Sequence, residues 1–200
     1  MRRVRGTFLG GIALVALLAC AAPAGAQTIA EVVGASGAVG EFDGNKNDFD
    51  ILNIAVDTAG LGAALSDPMV EYTVFAPNDR AFIRLARDLG FTGNDEAGAW
   101  GFLAGVITDL GGGDPTLPVL TDILLYHVAD GAISPFGLIV RTLFGLDITT
   151  LGGGTIEPFF FRLRDNDPDL RDPRVRWPFN LVVDNGVVHT IDRVLIPVDL

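Results

Sequence analysis

Side chains able to ligate, attack or move a proton are thinly spread in this 200-residue chain. Two runs of alternating oxygen donors come nearest to a site: Asp43, Asn45 and Asn47, and Asp165, Asp167 and Asp169. Hard oxygen ligands at every second position are what Ca²⁺ uses in loop sites. A helix–loop–helix calcium loop also needs a glycine at its sixth position and a bidentate acid at its twelfth. Those positions hold Asp48 and Ile54 in the first run, and Leu170 and Arg176 in the second. Both runs therefore read as solvated loops, the second braced by Arg164, Arg171 and Arg174. No cofactor is implied, and Ca²⁺ is the one cation left to test.

The two histidines, His127 and His189, have no Cys, His or carboxylate near them at metal-ligand spacing, which argues against zinc. His127 follows a helix end beside Tyr126, and His189 alternates with apolar positions on a strand. Both read as hydrogen-bonded residues of the interior. Catalysis would need a nucleophile–base pair, matched carboxylates or a cofactor cradle. Gly34-Ala35-Ser36-Gly37 lacks the spacing of a G-x-S-x-G elbow. Gly60 to Leu65 fails the dinucleotide fingerprint at its last position and follows no strand. Gly111-Gly112-Gly113-Asp114 has no lysine for a phosphate. A glycosidase would need two acids brought together by the fold, which spacing does not reveal. The chain reads as non-enzymatic.

The first residues indicate export. Arg2, Arg3 and Arg5 precede an apolar run from Phe8 to Ala19, and Ala24-Gly25-Ala26 fits a signal-peptidase site, so residues 1–26 read as a signal peptide. The apolar run is too short to span a bilayer, and no later stretch replaces it. Cys20, the only cysteine, sits in Leu17-Leu18-Ala19-Cys20, which also resembles a lipoprotein signal; cleavage after Ala26 is preferred over a lipid anchor at Cys20. The expected folded part then has no disulfide. Its net charge changes from −11 to −14 once the three leader arginines are gone. A surface this acidic repels phosphate backbones and argues against nucleic acid.

These candidates must be positioned by the elements that follow. Residues 27–44, rich in Gly and Ala, read as a linker or loosely docked arm. Asp48 is the predicted N-cap of a helix with Ile51, Leu52, Ala55, Val56 and Ala59 on one face. Leu61 to Leu65 adds a further turn. Glu71 to Ala76 reads as a strand, and Pro77-Asn78-Asp79 starts a helix that buries Phe82, Leu85, Ala86 and Leu89. Helices are also predicted over 95–110 and from Pro118 to Leu125. Leu146 to Leu151 and Thr155 to Leu163 read as a hairpin, with Phe159, Phe160 and Phe161 placed on both faces of one strand. A second hairpin turns at Asn185-Gly186. Helices followed by strands give one α+β domain over 45–200.

Three segments carry a family resemblance: Thr73 to Phe82 (strand, Ala76-Pro77, helix), Leu124 to Val128 with Tyr126 and His127, and Asn185 to Pro197. In order and spacing they resemble the fasciclin-like domain family. The resemblance implies a β-wedge of twisted antiparallel strands with packed helices. It marks Thr73, Phe75, Pro77, Phe82, Tyr126, His127, Asn185, Gly186, His189, Ile191, Asp192, Leu195 and Pro197 as motif positions, most of them specifying the fold. In animal members an Asp-Ile pair before the second motif and the Tyr-His region are associated with integrin recognition. Here Asn180-Leu181 stands at the Asp-Ile position, so that activity is not expected.

The resemblance implies an exported, non-enzymatic adhesion or matrix-associated module, secreted or periplasmic, that binds a surface protein or polysaccharide. The alternative is a periplasmic small-molecule or glycan-binding protein with a pocket between helices and sheet.

Overall fold

The computed structural model describes residues 27–113 and 118–197. The expected signal peptide, with Cys20, lies outside the described residues. In chain order the elements are α1 (Ile29–Gly34), α2 (Asp50–Thr58), α3 (Gly62–Leu65), β1 (Tyr72–Pro77), α4 (Asp79–Asp88), α5 (Glu96–Leu110) and α6 (Pro118–Tyr126). Then follow β2 (Val128–Asp130), α7 (Pro135–Phe144), β3 (Ile148–Thr149), β4 (Thr155–Phe159), β5 (Arg162–Arg164), β6 (Leu181–Val183) and β7 (Gly186–Ile191). The α+β class read from the sequence is the one observed.

One sheet has the order β2-β1-β7-β6, and a smaller one β3-β4-β5. The centre of the four-stranded sheet is the parallel pair β1–β7, with Tyr72 opposite Gly186 and Pro77 opposite Ile191. Both strands are buried on both faces, which explains their nearly continuous apolar sequence. Val74, Ala76 and Val188 face a core built with α1, α2, α4, α5 and α6. Phe75 and Ile191 face a second core with Tyr126, Leu138, Ile148, Ile156, Leu163 and Leu195. The period-2 alternation of the strands thus separates two hydrophobic clusters.

Helix starts follow capping chemistry. Asn78 Oδ1 accepts from Ala81 N at 3.1 Å, Asp95 caps α5, and Ser134 caps α7. Asp48 does not cap α2. The cap residue is Phe49, without a side-chain bond, and the carboxylate that serves this end comes from Asp79. Asp79 accepts from Asp50 N at 3.2 Å and Ile51 N at 2.8 Å. Burial, together with the adjacent Asp48, pushes Asp79 up to about 9.

Four further expectations are corrected. The segment expected as a loose arm contains α1, whose Ile29 and Val33 are buried in the first core. Strand β2 and helix α7 were not anticipated, and α7 interrupts the run of strands. Residues 155–163 are two strands, because Phe160 adopts φ +55° and turns the chain between β4 and β5. Phe159, Phe160 and Phe161 are all exposed there, rather than divided between two faces.

The second hairpin exists, but its loop is Asp184-Asn185, since Val183 pairs with Gly186. Gly186 belongs to β7 at φ +142°, and a Cβ on it would lie 1.8 Å from the Tyr72 carbonyl oxygen. Glycine is needed for close strand approach, not for the turn. Asn185 is fully buried. It accepts from Ile29 N at 2.9 Å and donates to Leu65 O at 2.7 Å and Asp67 O at 3.2 Å, tying α1 and the end of α3 to the hairpin. Asn185→Ala would leave these buried groups unpaired and is predicted to cost about 3 kcal/mol or more. Urea unfolding checks it; a loss below about 1 kcal/mol would refute the tie.

Candidate functional site

The motif residues are placed in the interior, where most of them satisfy backbone groups. Thr73 Oγ1 donates to Gly131 O at 2.6 Å and accepts from Ile133 N at 2.7 Å. Tyr126 is fully buried; its hydroxyl donates to Thr155 O at 2.7 Å, and burial pushes it up to about 12. His127 Nε2 accepts from Leu195 N at 2.9 Å, so Nδ1 carries the proton and donates to Ile123 O at 2.8 Å. His189 uses the opposite tautomer: Nδ1 accepts from Asn180 N at 3.3 Å and Nε2 donates to Ile133 O at 2.8 Å. Its ring stacks on Phe75 at 5.8 Å. Phe75, Phe82, Ile191 and Leu195 are core, and Pro77 ends β1. Pro197 accepts from Asn166 Nδ2 at 3.1 Å. Tyr126 and His127, buried, present no surface to a partner.

Asp192 differs, because it organises an exposed feature. It accepts from Arg174 N at 2.9 Å and from Arg176 Nε at 2.8 Å, and pairs with Arg176 Nη2 at 2.7 Å. Arg84 of α4 donates to the Asp192 carbonyl at 2.8 Å. Around this carboxylate runs a groove of about 950 Å³, from α4 past the end of β7 to the β4–β5 hairpin. Arg84, Arg162, Arg164, Arg171, Arg174, Arg176 and Arg193 line it, with Glu157, Asp165, Asp167, Asp172 and Asp192 as the acids. Of the 14 Lys and Arg, three lie in residues 1–26, outside the described residues, so seven of the remaining 11 meet here.

Several arginines are already paired: Arg162 with Asp172 at 3.4 Å, Arg164 with Glu157 at 3.0 Å, Arg193 with Asp88 at 2.8 Å. Arg171 and Arg174 are exposed, and no ion pair among the described residues engages their guanidinium groups. At one margin of the groove stands an aromatic ridge of Phe159, Phe160 and Phe161, extended by Phe179 and Trp177. Trp177 is 82% exposed, and Arg164 lies 4.9 Å over the Phe159 ring. Of the groove arginines, Arg164, Arg171 and Arg174 were read in the sequence only as braces for an acidic loop, and the other four were given no role. The signal available was their density between 162 and 193 in a chain otherwise poor in cations.

A second concave feature is apolar and lies between α4, α5 and α6, lined by Phe82, Leu85, Trp100, Leu103, Leu120 and Leu124 among others. At about 40 Å³ it has room for about one water and none for a sugar ring. The run Asp165, Asp167, Asp169 does not converge on a point: Asp165 accepts from Ile196 N at 2.8 Å, and Asp167 from Asp169 N and Leu170 N. Burial pushes Asp165 up to about 6.

The fold is that of an α+β module in which helices flank a mixed sheet. The family profile described as Fasciclin domain matches residues 47–197, and the chain belongs to that family. A FAS1 domain pair from the insect cell adhesion molecule Fasciclin I superposes with TM-score 0.51 at 13% identity, covering 85% of this chain and 51% of that one. The chain thus spans about half the length of that pair. No curated protein matches the chain by sequence. No helix among the described residues is long and apolar enough to cross a membrane.

Burial holds His127 neutral, lowered to about 4, and the donor bond to Ile123 only partly opposes this. Unfolded, the imidazole titrates near 6.5, so between these values the unfolded chain binds the extra proton. Stability from the neutral ring is full above about pH 6.5 and is lost as pH falls toward 4. Asp165, raised, acts in the opposite sense, so the useful quantity is a difference. The gap in unfolding free energy between wild type and His127→Gln is predicted to narrow by about 3 kcal/mol from pH 7 to pH 4. A gap constant with pH in urea titrations would mean that the imidazole charges freely in the native protein.

Proposed function

We propose that this chain is an exported, non-enzymatic adhesion module of the fasciclin type, and that its arginine groove holds an anionic surface polysaccharide. The observation carrying this reading is the gathering of seven arginines in one groove of an otherwise acidic chain. Guanidinium forks pair bidentately with carboxylate or sulfate groups, and Arg171 and Arg174 face solvent ready to do so. The exposed ridge from Phe159 to Phe161, with Trp177, gives sugar rings flat apolar faces to lie on. The net negative charge elsewhere would orient a polyanion toward the groove and away from the remaining surface.

Membership of the fasciclin family supports the adhesion reading, as does the likeness to an insect cell adhesion molecule. The leader-like residues 1–26 support export. Both ring nitrogens of His127 and of His189 are committed to backbone partners, which leaves neither imidazole free for acid–base chemistry.

Affinity electrophoresis in gels containing a uronate polymer, a sulfated polymer or neutral dextran tests the reading. Retardation by the anionic polymers alone is expected, weakening as salt rises. Arg171→Glu combined with Arg174→Glu should weaken it at least about tenfold with an unchanged melting temperature, the effect of losing two charge-assisted contacts. Equal retardation by dextran, or none by any polymer, would overturn it.

A further inference from the structure

Five carboxylates converge far along the chain from the arginine groove. Asp50, Asp79 and Glu96 are the first residues of α2, α4 and α5, and the loop before α2 adds Asp43 and Asp48. Oxygens of Asp43, Asp50 and Glu96 all lie within 4.8 Å of one another, and so do those of Asp48, Asp50 and Asp79. No ion pair among the described residues reaches the cluster. Such a concentration of acid is stable only where its charge is compensated.

Backbone groups compensate part of it. Asp43 N donates to Asp50 Oδ2 at 3.2 Å, Gly44 N to Glu96 Oε2 at 3.0 Å, and Asn45 N to Asp43 Oδ1 at 2.7 Å. Asp48 Oδ2 accepts from Asn45 Nδ2 at 2.8 Å, and Asp79 caps α2. One oxygen remains. Glu96 Oε1 is shut off from solvent without a hydrogen-bond partner, and Glu96 as a whole is only 3% exposed. Leaving a carboxylate oxygen buried and unmatched costs more than leaving a neutral acceptor so, which is why such atoms almost always have a partner.

We propose that Asp43, Asp50 and Glu96 bind a Ca²⁺ ion, with the unmatched Glu96 Oε1 as its buried ligand. A Ca–O distance of about 2.4 Å lets one ion reach oxygens up to about 4.8 Å apart, and an all-oxygen set suits a hard cation. Asp43, which is exposed, is the open side through which the ion and its waters enter. Asp48 and Asp79 form the adjoining wall; Asp79 is already committed to the α2 backbone. The ion would bind the 43–48 loop to α2 and α5. The alternation of Asp43, Asn45 and Asn47 is not the ligand set, since Asn45 and Asp43 are engaged in successive turns within the loop.

The full chain, stripped with EDTA, is titrated with CaCl₂ by calorimetry, and its melting temperature is followed in parallel. One saturable equivalent and a rise in melting temperature are expected, and Mg²⁺ at equal concentration should give a clearly smaller rise. Glu96→Gln and Asp43→Asn should each weaken Ca²⁺ binding at least about tenfold. Should Glu96→Gln fail to fold, Asp43→Asn decides alone, because that side chain is exposed and its amide oxygen can still accept from Asn45 N. No saturable heat up to about 10 mM Ca²⁺ would overturn the site. So would an equal effect of Mg²⁺, which would indicate general screening, or Ca²⁺ binding undiminished in Asp43→Asn.

Discussion

The parallel pairing of β1 with β7 is the constraint on which the rest of the structure depends. It joins residues 72–77 to residues 186–191, so the whole of 78–185, from α4 to β6, lies in the connection between them. Two strands so distant in sequence gain little from local propensity, and closing such a loop is entropically costly. The pair is held because both of its faces are buried, each against its own cluster. Burial on two faces brings a second demand. Connections that enter and leave a buried pair carry backbone groups that water cannot reach, and each needs a partner.

The motif polar residues meet that demand. Thr73 serves the chain after β2, His189 serves both the same segment and the approach to β6, and His127 holds the end of α6 to Leu195. Asn185 does the same for α1 and the end of α3. In each case one short side chain offers a donor and an acceptor to backbone groups, and the two histidines and Asn185 thereby join separate segments. Imidazole in its neutral form does this well, and burial keeps both rings neutral. A family signature made of such residues reports how the fold closes, and carries no direct information on what the surface binds.

This explains what was legible in the sequence. Amphipathic helices and the apolar β1 and β7 announce themselves, because burial imposes a period or an unbroken apolar run. Helix α7 was hidden: Phe136, Leu143 and Phe144 are exposed while only Leu138 is fully buried, so its apolar residues do not mark one inward face. The split of 155–163 was hidden too, because Phe160 adopts a left-handed conformation that aromatic residues seldom take. Asn185-Gly186 misled for a related reason. Each residue is required, but the glycine by the Tyr72 carbonyl and the asparagine by three backbone groups, not by a turn. The carboxylate cluster was invisible because residues far apart in sequence form it, whereas the arginine groove left only a local density of arginines between 162 and 193, without the fold that turns them to one side.

Charge is separated along these same lines. Asp192, the residue immediately after β7, is held by backbone and by Arg176, and its own fixed position sets where the neighbouring guanidinium groups stand. A groove hung from the end of the central strand is more rigid than one made from loops alone. The carboxylates Asp50, Asp79 and Glu96 instead gather where three helices begin, and the N–H groups there favour negative charge. The fold therefore fixes a cationic and an anionic feature on separate elements, each supported by backbone it also satisfies. Either can change without disturbing the β1–β7 pair, which leaves the surface free to vary while the buried motif stays bound to the topology.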